Sequence, residues 1–326
     1  DCVVADLTVA IGFAKRGLIA DGALNLVGRL EVVPLPDLTV HGKEAAQVAT
    51  ATSLRDLLPR RKFGAYKNEF GRVGIVAGSR GFTGAAVMCA MGALRGGAGL
   101  VELFVPEEIY DIVAAAAPPE AMVKPIRSHD ALLDERAINV WAIGPGIGQM
   151  YSDHILKLIE RLAAPCVLDA DALNILSATP EILKRCSGPR LLTPHPGEMK
   201  RLFPRAAKLT RADVVKRFCA EYPATLLLKG SRTIVGERGR PLSLNTTGNS
   251  GMATGGMGDI LTGICAALVA QKLPLYDAAR LGAWLAGRAA ELAIFRGNAS
   301  QQTLLPTDVV AHLGFAFRDL QSGDAR

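Results

Sequence analysis

No CxxC pair occurs among the six cysteines at positions 2, 89, 166, 186, 219 and 265, and neither HxxxH nor HExxH occurs among the five histidines. These absences remove the usual zinc-ribbon, dithiol and histidine-metal spacings. Cys89, Cys166 and Cys265 lie inside apolar runs and read as small core residues, which suits a reducing cytosol, so a cytoplasmic location is expected. No apolar stretch reaches the roughly 18 to 20 residues of a membrane span, because Arg95, Lys272 and glycine clusters interrupt the longest ones. The start lacks the basic region of a signal peptide, with Asp1 and Asp6 in its place, and has no initiator Met, as expected of a fragment or a processed product. A charged tail is missing too. Charged residues are 21% of the chain and dispersed, so the formal net charge of +6 is a diffuse basic excess. The one local run, Arg60-Arg61-Lys62, reads as a solvated surface turn rather than a polyanion site. Neither nucleic acid nor membrane is expected as a partner; the mild positive bias suits an anionic small molecule such as a nucleotide.

What is present is a chain of 326 residues, 49% hydrophobic, enough to fill a sizeable core. Val3 to Ile11 and Leu30 to Val33 read as short strands separated by a Gly and Ala region with Asp21-Gly22 as a turn. The segment around Lys43-Glu44-Ala45-Ala46 reads as a connector with helical turns. After Gly71 apolar strands alternate with helices: strands at 73–77, 100–105, 140–144, 166–169, 191–193 and 225–228, a hairpin over 233–244, and a closing helical block over 258–270 and 276–293. That alternation predicts an α/β fold with a mainly parallel central sheet and helices on both faces, where ligands sit at the carboxyl ends of the strands.

Most glycine-rich segments follow a strand. Gly78-Ser79-Arg80-Gly81-Phe82-Thr83-Gly84-Ala85 could hold phosphate on its amides or be a tight turn, and matches neither GxGxxG nor a P-loop. Gly144-Pro145-Gly146-Ile147-Gly148 permits close approach by a ligand or serves as a rigid turn. Asp169 and Asp171, at a strand end, could hold a hydrated magnesium ion or bond a sugar hydroxyl, and Asp171 could equally cap a helix. His195 is clamped between Pro194 and Pro196, which aims its ring, while Glu198 could serve the site or cap the following helix. Lys229-Gly230 at the next strand end could contact phosphate. The strongest segment is Gly255-Gly256-Met257-Gly258-Asp259: free amides at a helix start form an anion hole, and one carboxylate is placed to take a proton from an attacking hydroxyl. The bland alternative, an Asp that only favours the helix dipole, leaves the glycines unexplained.

From about Leu57 to Leu313 these motifs, in the order GSRGFTGAA, GPGIG, DADALN, TPHPGE, KGSRT and NTTGNSGMATGGMGDILTG, resemble the ADP- or ATP-dependent NAD(P)H-hydrate dehydratases of the ribokinase-like superfamily. The first 36 or so residues, with ADLTVAIGFAKRGL and LEVVPLP, resemble the tail of the NAD(P)H-hydrate epimerase domain fused upstream in many bacterial members. The resemblance therefore implies a remnant over 1–36 without epimerase activity and a dehydratase domain over 37–326. It implies repair of hydrated NADH or NADPH: a nucleotide phosphorylates the ring hydroxyl and phosphate leaves, re-forming the double bond. ADP is the donor suggested by the bacterial fusion, with Mg2+ beside it and AMP and phosphate as co-products.

Carried over motif by motif, the resemblance makes Asp259 the general base and places the hydrated dinucleotide on Ala85, Gly146, Gly148, His195 and Asp259. It places the adenine nucleotide on Lys229, Gly230, Ser231, Arg232, Thr233 and Gly258, with Gly255, Gly256 and Gly258 as the anion hole and Asn245 and Asn249 in support. A homo-oligomer is expected, since the family is often tetrameric or larger. Two positions depart from the pattern: Met257, where a small hydroxyl residue is frequent, and Ala65-Tyr66-Lys67-Asn68, where His-Lys-Gly is frequent. The competing readings are a ribokinase-like kinase acting on a vitamin-precursor alcohol, against which TPHPGE speaks, and a silent nucleotide sensor, which would not need Asp259.

Overall fold

Short apolar strands with no polar face must be covered on both sides, and the chain supplies that cover. The computed structural model describes residues 2–35, 38, 45–58 and 60–322. Strands β1 (Leu7–Ile11) and β2 (Arg29–Val33) pair in parallel as a separate two-stranded sheet. The strands β3 (Ala46–Ala49), β4 (Arg72–Val76), β5 (Leu100–Pro106), β6 (Ala121–Ile126), β7 (Val140–Ile143), β8 (Cys166–Leu168), β9 (Arg190–Leu192), β10 (Thr225–Leu228), β11 (Ile234–Gly236) and β12 (Leu242–Asn245) form one ten-stranded sheet. Its order is β3-β12-β11-β10-β9-β8-β7-β4-β5-β6, with β11 antiparallel to both neighbours and the other pairs parallel.

Alternation along the strands divides two cores. Val73, Ile75, Val101, Leu103, Val140 and Ala142 pack with the helices Thr83–Arg95, Met257–Ala270, Leu275–Phe295 and Pro306–Ser322. Val76, Phe104, Trp141 and Ile143 point the other way, toward Ser152–Arg161, Asp171–Leu176, Pro196–Leu202 and Arg211–Glu221. This is the expected α/β sheet with helices on both faces.

The helix Met257–Ala270 is buried from Ile260 to Ala270. It crosses Thr83–Arg95 so closely that a Cβ on Gly92 would collide with the backbone of Ile260, and one on Gly263 with the backbone of Cys89 and Ala93. Direct backbone contact at this crossing fixes where the N-terminus of the helix stands above the strand ends.

Four local expectations change. The stretch read as a turn around Asp21-Gly22 is helical, as Arg16–Ile19, a 3-10 turn Asp21–Ala23 and Leu24–Val27, because parallel β1 and β2 need a crossover rather than a hairpin. This unit has its own small core of Ala10, Val27 and Leu30. The first strand begins at Leu7, not Val3. The expected connector around Lys43 to Ala46 lies partly outside the described residues, and Ala46–Ala49 is the edge strand β3, followed by one helical turn over Ala51–Leu54 that Thr50 caps. Finally, β6 and Pro306–Ser322 have no counterpart among the expected elements; Pro125 in β6 is tolerated because β6 is an edge strand.

Candidate active site

The chain runs from β4 outward to β5 and β6, then returns to β7 on the other side of β4. The loops after β4 and β7 therefore part at a switch point, the place where open parallel sheets hold ligands. Here the two loops are stitched together. Gly78 N donates to Pro145 O at 2.8 Å, Gly144 N to Val76 O at 3.1 Å, and Ser79 Oγ to Gly146 O at 2.8 Å. Gly146 has φ +63 and its missing Cβ would lie 2.9 Å from the Ala85 Cβ. Ala85, Gly146 and Gly148 thus line one wall. Gly148 N donates to Asp171 Oδ2 at 2.9 Å, which ties that wall to the end of β8.

Beside it, at the ends of β8 and β10, is a buried charge cluster. Asp169, 1% exposed at the end of β8, accepts from Lys229 Nζ at 2.6 Å through one oxygen and from Thr262 Oγ1 at 2.8 Å through the other. Lys229 follows β10, and its Nζ lies 3.8 Å from Glu198 Oε2. Burial pulls the Lys229 ammonium down, but Asp169 and Glu198 beside it outweigh that and hold it above its ordinary range. Burial raises the Glu198 carboxyl. Thr262 lies one turn after Asp259, so Asp169 joins the end of β8 both to Lys229 and to the helix bearing Asp259.

Gly256 takes the left-handed conformation, φ +91, at the N-cap of Met257–Ala270, and its missing Cβ would meet Pro306 at 3.1 Å. Gly255 faces open space, and a Cβ on Gly258 would lie 3.2 Å from Lys229 Nζ and 3.3 Å from Asp169 Oδ2. The helix start is therefore bare of side chains on the side that faces the charge cluster. Burial, and then the charge of Asp169, push the Asp259 carboxyl up to about 7 against the opposing pull of Lys229. A carboxylate so placed exchanges protons near neutral pH, as a general base must.

His195 is the N-cap of Pro196–Leu202. Its Nδ1 accepts from Gly197 N at 2.9 Å, while Glu198 Oε2 accepts from His195 N at 2.7 Å. The capping reading of Glu198 holds, and its other contact is with Lys229. With Nδ1 accepting, the ring of this half-exposed side chain is neutral and carries its proton on Nε2, 3.4 Å from Glu198 Oε1. Burial and then Lys229 and Arg201 lower its pKa accordingly.

Other candidates lie apart from this cluster. The Arg232 side chain is buried, 3% exposed, and its NH1 donates to Leu18 O in the leading unit. Asn245 spends its amide on Thr247 O and Ala283 O, and Asn249 bonds Ala290 O and Gly251 N, so both fasten the loop to Leu275–Phe295. Thr262 carries no signal in the sequence beyond its place three residues after Asp259. Among the described residues no group of three or more His, Cys, Asp or Glu forms a metal cage. A cavity of about 420 Å3 lies at the opposite, amino-terminal ends of the strands, against Pro165, Arg190 and Thr225, away from this chemistry.

Residues 73–313 match the sequence profile of a family described as NAD(P)H-hydrate dehydratase. The chain belongs to that family. Among relatives, the bifunctional NAD(P)H-hydrate repair enzyme Nnr of Moorella thermoacetica is 39% identical over 98% of this chain, which spans 63% of that relative's length. The ADP-dependent (S)-NAD(P)H-hydrate dehydratase of Neisseria meningitidis is 36% identical over 79% of this chain and 89% of its own. Among solved structures, the ADP/ATP-dependent NAD(P)H-hydrate dehydratase of Bacillus subtilis, co-crystallised with ATP and Mg2+, superposes with a TM-score of 0.71 at 29% identity, covering 83% of this chain and 97% of its own. The fold is the ribokinase-like one. In this chain the glycine helix start, the switch-point loops and the Lys229 cluster adjoin one another at the strand ends.

Proposed function

We propose that this chain is an ADP-dependent (S)-NAD(P)H-hydrate dehydratase, returning hydrated NADH or NADPH to NAD(P)H. The carrying observation is Asp259, poised near neutral pH in the first turn of Met257–Ala270 behind a side-chain-free helix start. The ring hydroxyl of the hydrate attacks the β-phosphorus of ADP and AMP leaves. Asp259 takes the hydroxyl proton, and the amides of Gly255, Gly256 and Gly258 stabilise the phosphoryl group as its charge spreads. Phosphate then departs with the ring carbon–oxygen bond, and loss of the neighbouring ring proton restores the double bond.

Ala85, Gly146, Gly148 and His195 hold the dinucleotide. Close packing of Gly146 on Ala85 leaves backbone exposed to it, and the His195 Nε2–H offers a donor. Lys229 to Thr233 and Gly258 hold the nucleotide, with Asn245 and Asn249 fixing the intervening loop. Mg2+ fits as the nucleotide's companion. A hydrated Mg2+ needs only one or two carboxylates besides phosphate oxygens; Asp171 would supply one, while both oxygens of Asp169 are engaged, by Lys229 and by Thr262. When bound it would neutralise phosphate charge.

Residues 1–36 are read as the tail of an epimerase domain, without epimerase activity of their own. A homo-oligomer, tetrameric or larger, and a cytoplasmic location complete the proposal; six free cysteines suit that compartment. The decisive assay incubates the chain with chemically hydrated NADH and ADP. Recovery of absorbance in the reduced-nicotinamide band is expected; a phosphorylated alcohol accumulating without recovery would mean a small-molecule kinase instead.

A further inference from the structure

The leading unit, residues 7–33, lies outside the family match over 73–313, yet it is fastened to the body at two places, one at the loop 229–233 of the proposed nucleotide site and one at Glu291 beside the turn at Gly248. Leu18 O accepts from Arg232 NH1 in the loop 229–233. Asp21 Oδ1 lies 3.5 Å from Arg211 NH1, while the NH2 of the same guanidinium donates to Lys229 O at 3.2 Å. Arg211 also occupies the space beside Gly230, where a Cβ would fall 2.5 Å from its NH2. On the other flank Arg29 Nε donates to Glu291 Oε1 at 2.6 Å, and that same oxygen accepts from Gly248 N at 2.9 Å, in the loop leading to the Gly255–Gly258 helix start.

These contacts are not ordinary surface packing. Among the described residues Arg232 NH2 and Arg211 Nε are buried without a partner, a costly state for a guanidinium. Burial pulls Arg232 below its ordinary range, and Asp21 is the charge that opposes this. One carboxylate of the leading unit thus pairs with Arg211, which grips the loop at Lys229 O, and its charge also favours Arg232 within the loop.

We infer that residues 18–29 form a strap that holds the loop 229–233 and the turn at Gly248 in the shape that receives the adenine nucleotide, with Asp21 as the positioning residue. This rests on the nucleotide occupying 229–233, as proposed above. The strap shapes the loop from outside and touches no substrate. Linkage makes the effect mutual: a strap that favours nucleotide binding is itself tightened by bound nucleotide.

The test is hydrogen exchange on the full chain with and without ADP and Mg2+, combined with kinetics of Asp21→Ala. The strap requires ADP to slow amide exchange in 16–24 as well as in 229–233. It also requires D21A to raise KM for ADP about two- to fivefold, the range of a partly exposed ion pair, with kcat and KM for the hydrated dinucleotide unchanged and Asp21→Glu restoring the value. Protection confined to 229–233 overturns the strap and leaves the nucleotide assignment standing. No protection at 229–233 overturns that assignment and the strap with it. Protection of 16–24 with an unchanged KM in D21A removes Asp21 from the role.

Discussion

Asp259 carries two opposite demands, and its pH behaviour separates them. In its proposed role as base it must lose its proton, so kcat/KM is expected to rise with pH up to about 7 and then level off. Asp259→Asn should lower turnover by at least about a hundredfold while nucleotide still binds, measured by isothermal titration. For stability the sign reverses. Its folded pKa of about 7 lies above the ordinary carboxylate value, so its contribution is full below that ordinary value and is lost as pH rises through 7. D259N should accordingly gain on the order of 2 to 4 kcal/mol over wild type at pH 8, and little at pH 4, in denaturant titrations at the two pH values. Asp169→Asn removes the neighbouring charge and the Lys229 tether together. The acid limb of the rate profile should then move to lower pH while kcat falls; an unmoved limb would exclude Asp169 from setting it. At this scale the glycines and Asp259 were legible because a bare helix start beside one acid has few other uses. The bonds from Asp169 to Lys229 and Thr262 were not, since their partners lie 60 and 93 residues away and no local pattern records such pairing.

Among the elements, the helix Met257–Ala270 sets Asp259 in space, and its crossing with Thr83–Arg95 tolerates no side chain at Gly92 or Gly263. Gly263→Val is expected to destabilise the fold by about 2 to 4 kcal/mol, in the range of an overpacked core plus backbone displacement. Gly256→Ala, at φ +91 with Pro306 at 3.1 Å, should cost about 1 to 2 kcal/mol and lower kcat more than KM. Thermal melts and steady-state kinetics on the two variants check both. The elements legible in advance were those whose pattern is local: the central strands, buried on both faces, and the helices that follow them. The edge strand β3 was misread because AAQVA is a good helix sequence; only pairing with β12 makes it a strand. The 16–27 crossover was misread because its glycines resemble a turn while the parallel pairing of β1 and β2 demands a helical return. Tertiary partners decided both cases.

For the whole molecule, the proposed nucleotide-borne Mg2+ makes a prediction separate from stability. Chelation by EDTA should abolish turnover of the hydrate while leaving the thermal midpoint within about 1 °C, because no described cluster of ligands forms a structural metal cage. Loss of the midpoint together with activity would mean a structural ion instead. The sheet's far edge bears on a different property, the order in which the molecule is built. β3 pairs Ala46 with Leu242, and Asp169 reaches Thr262, so the edge and the Asp169 cluster both wait for chain that is made much later than they are. Contacts of such sequence separation close slowly, after local strands and helices have formed. Trp141, buried in β7, belongs to the half of the sheet that can assemble first. A chain leaving the ribosome thus has β4 to β9 before it has Asp259, and the proposed site stays incomplete until that segment follows.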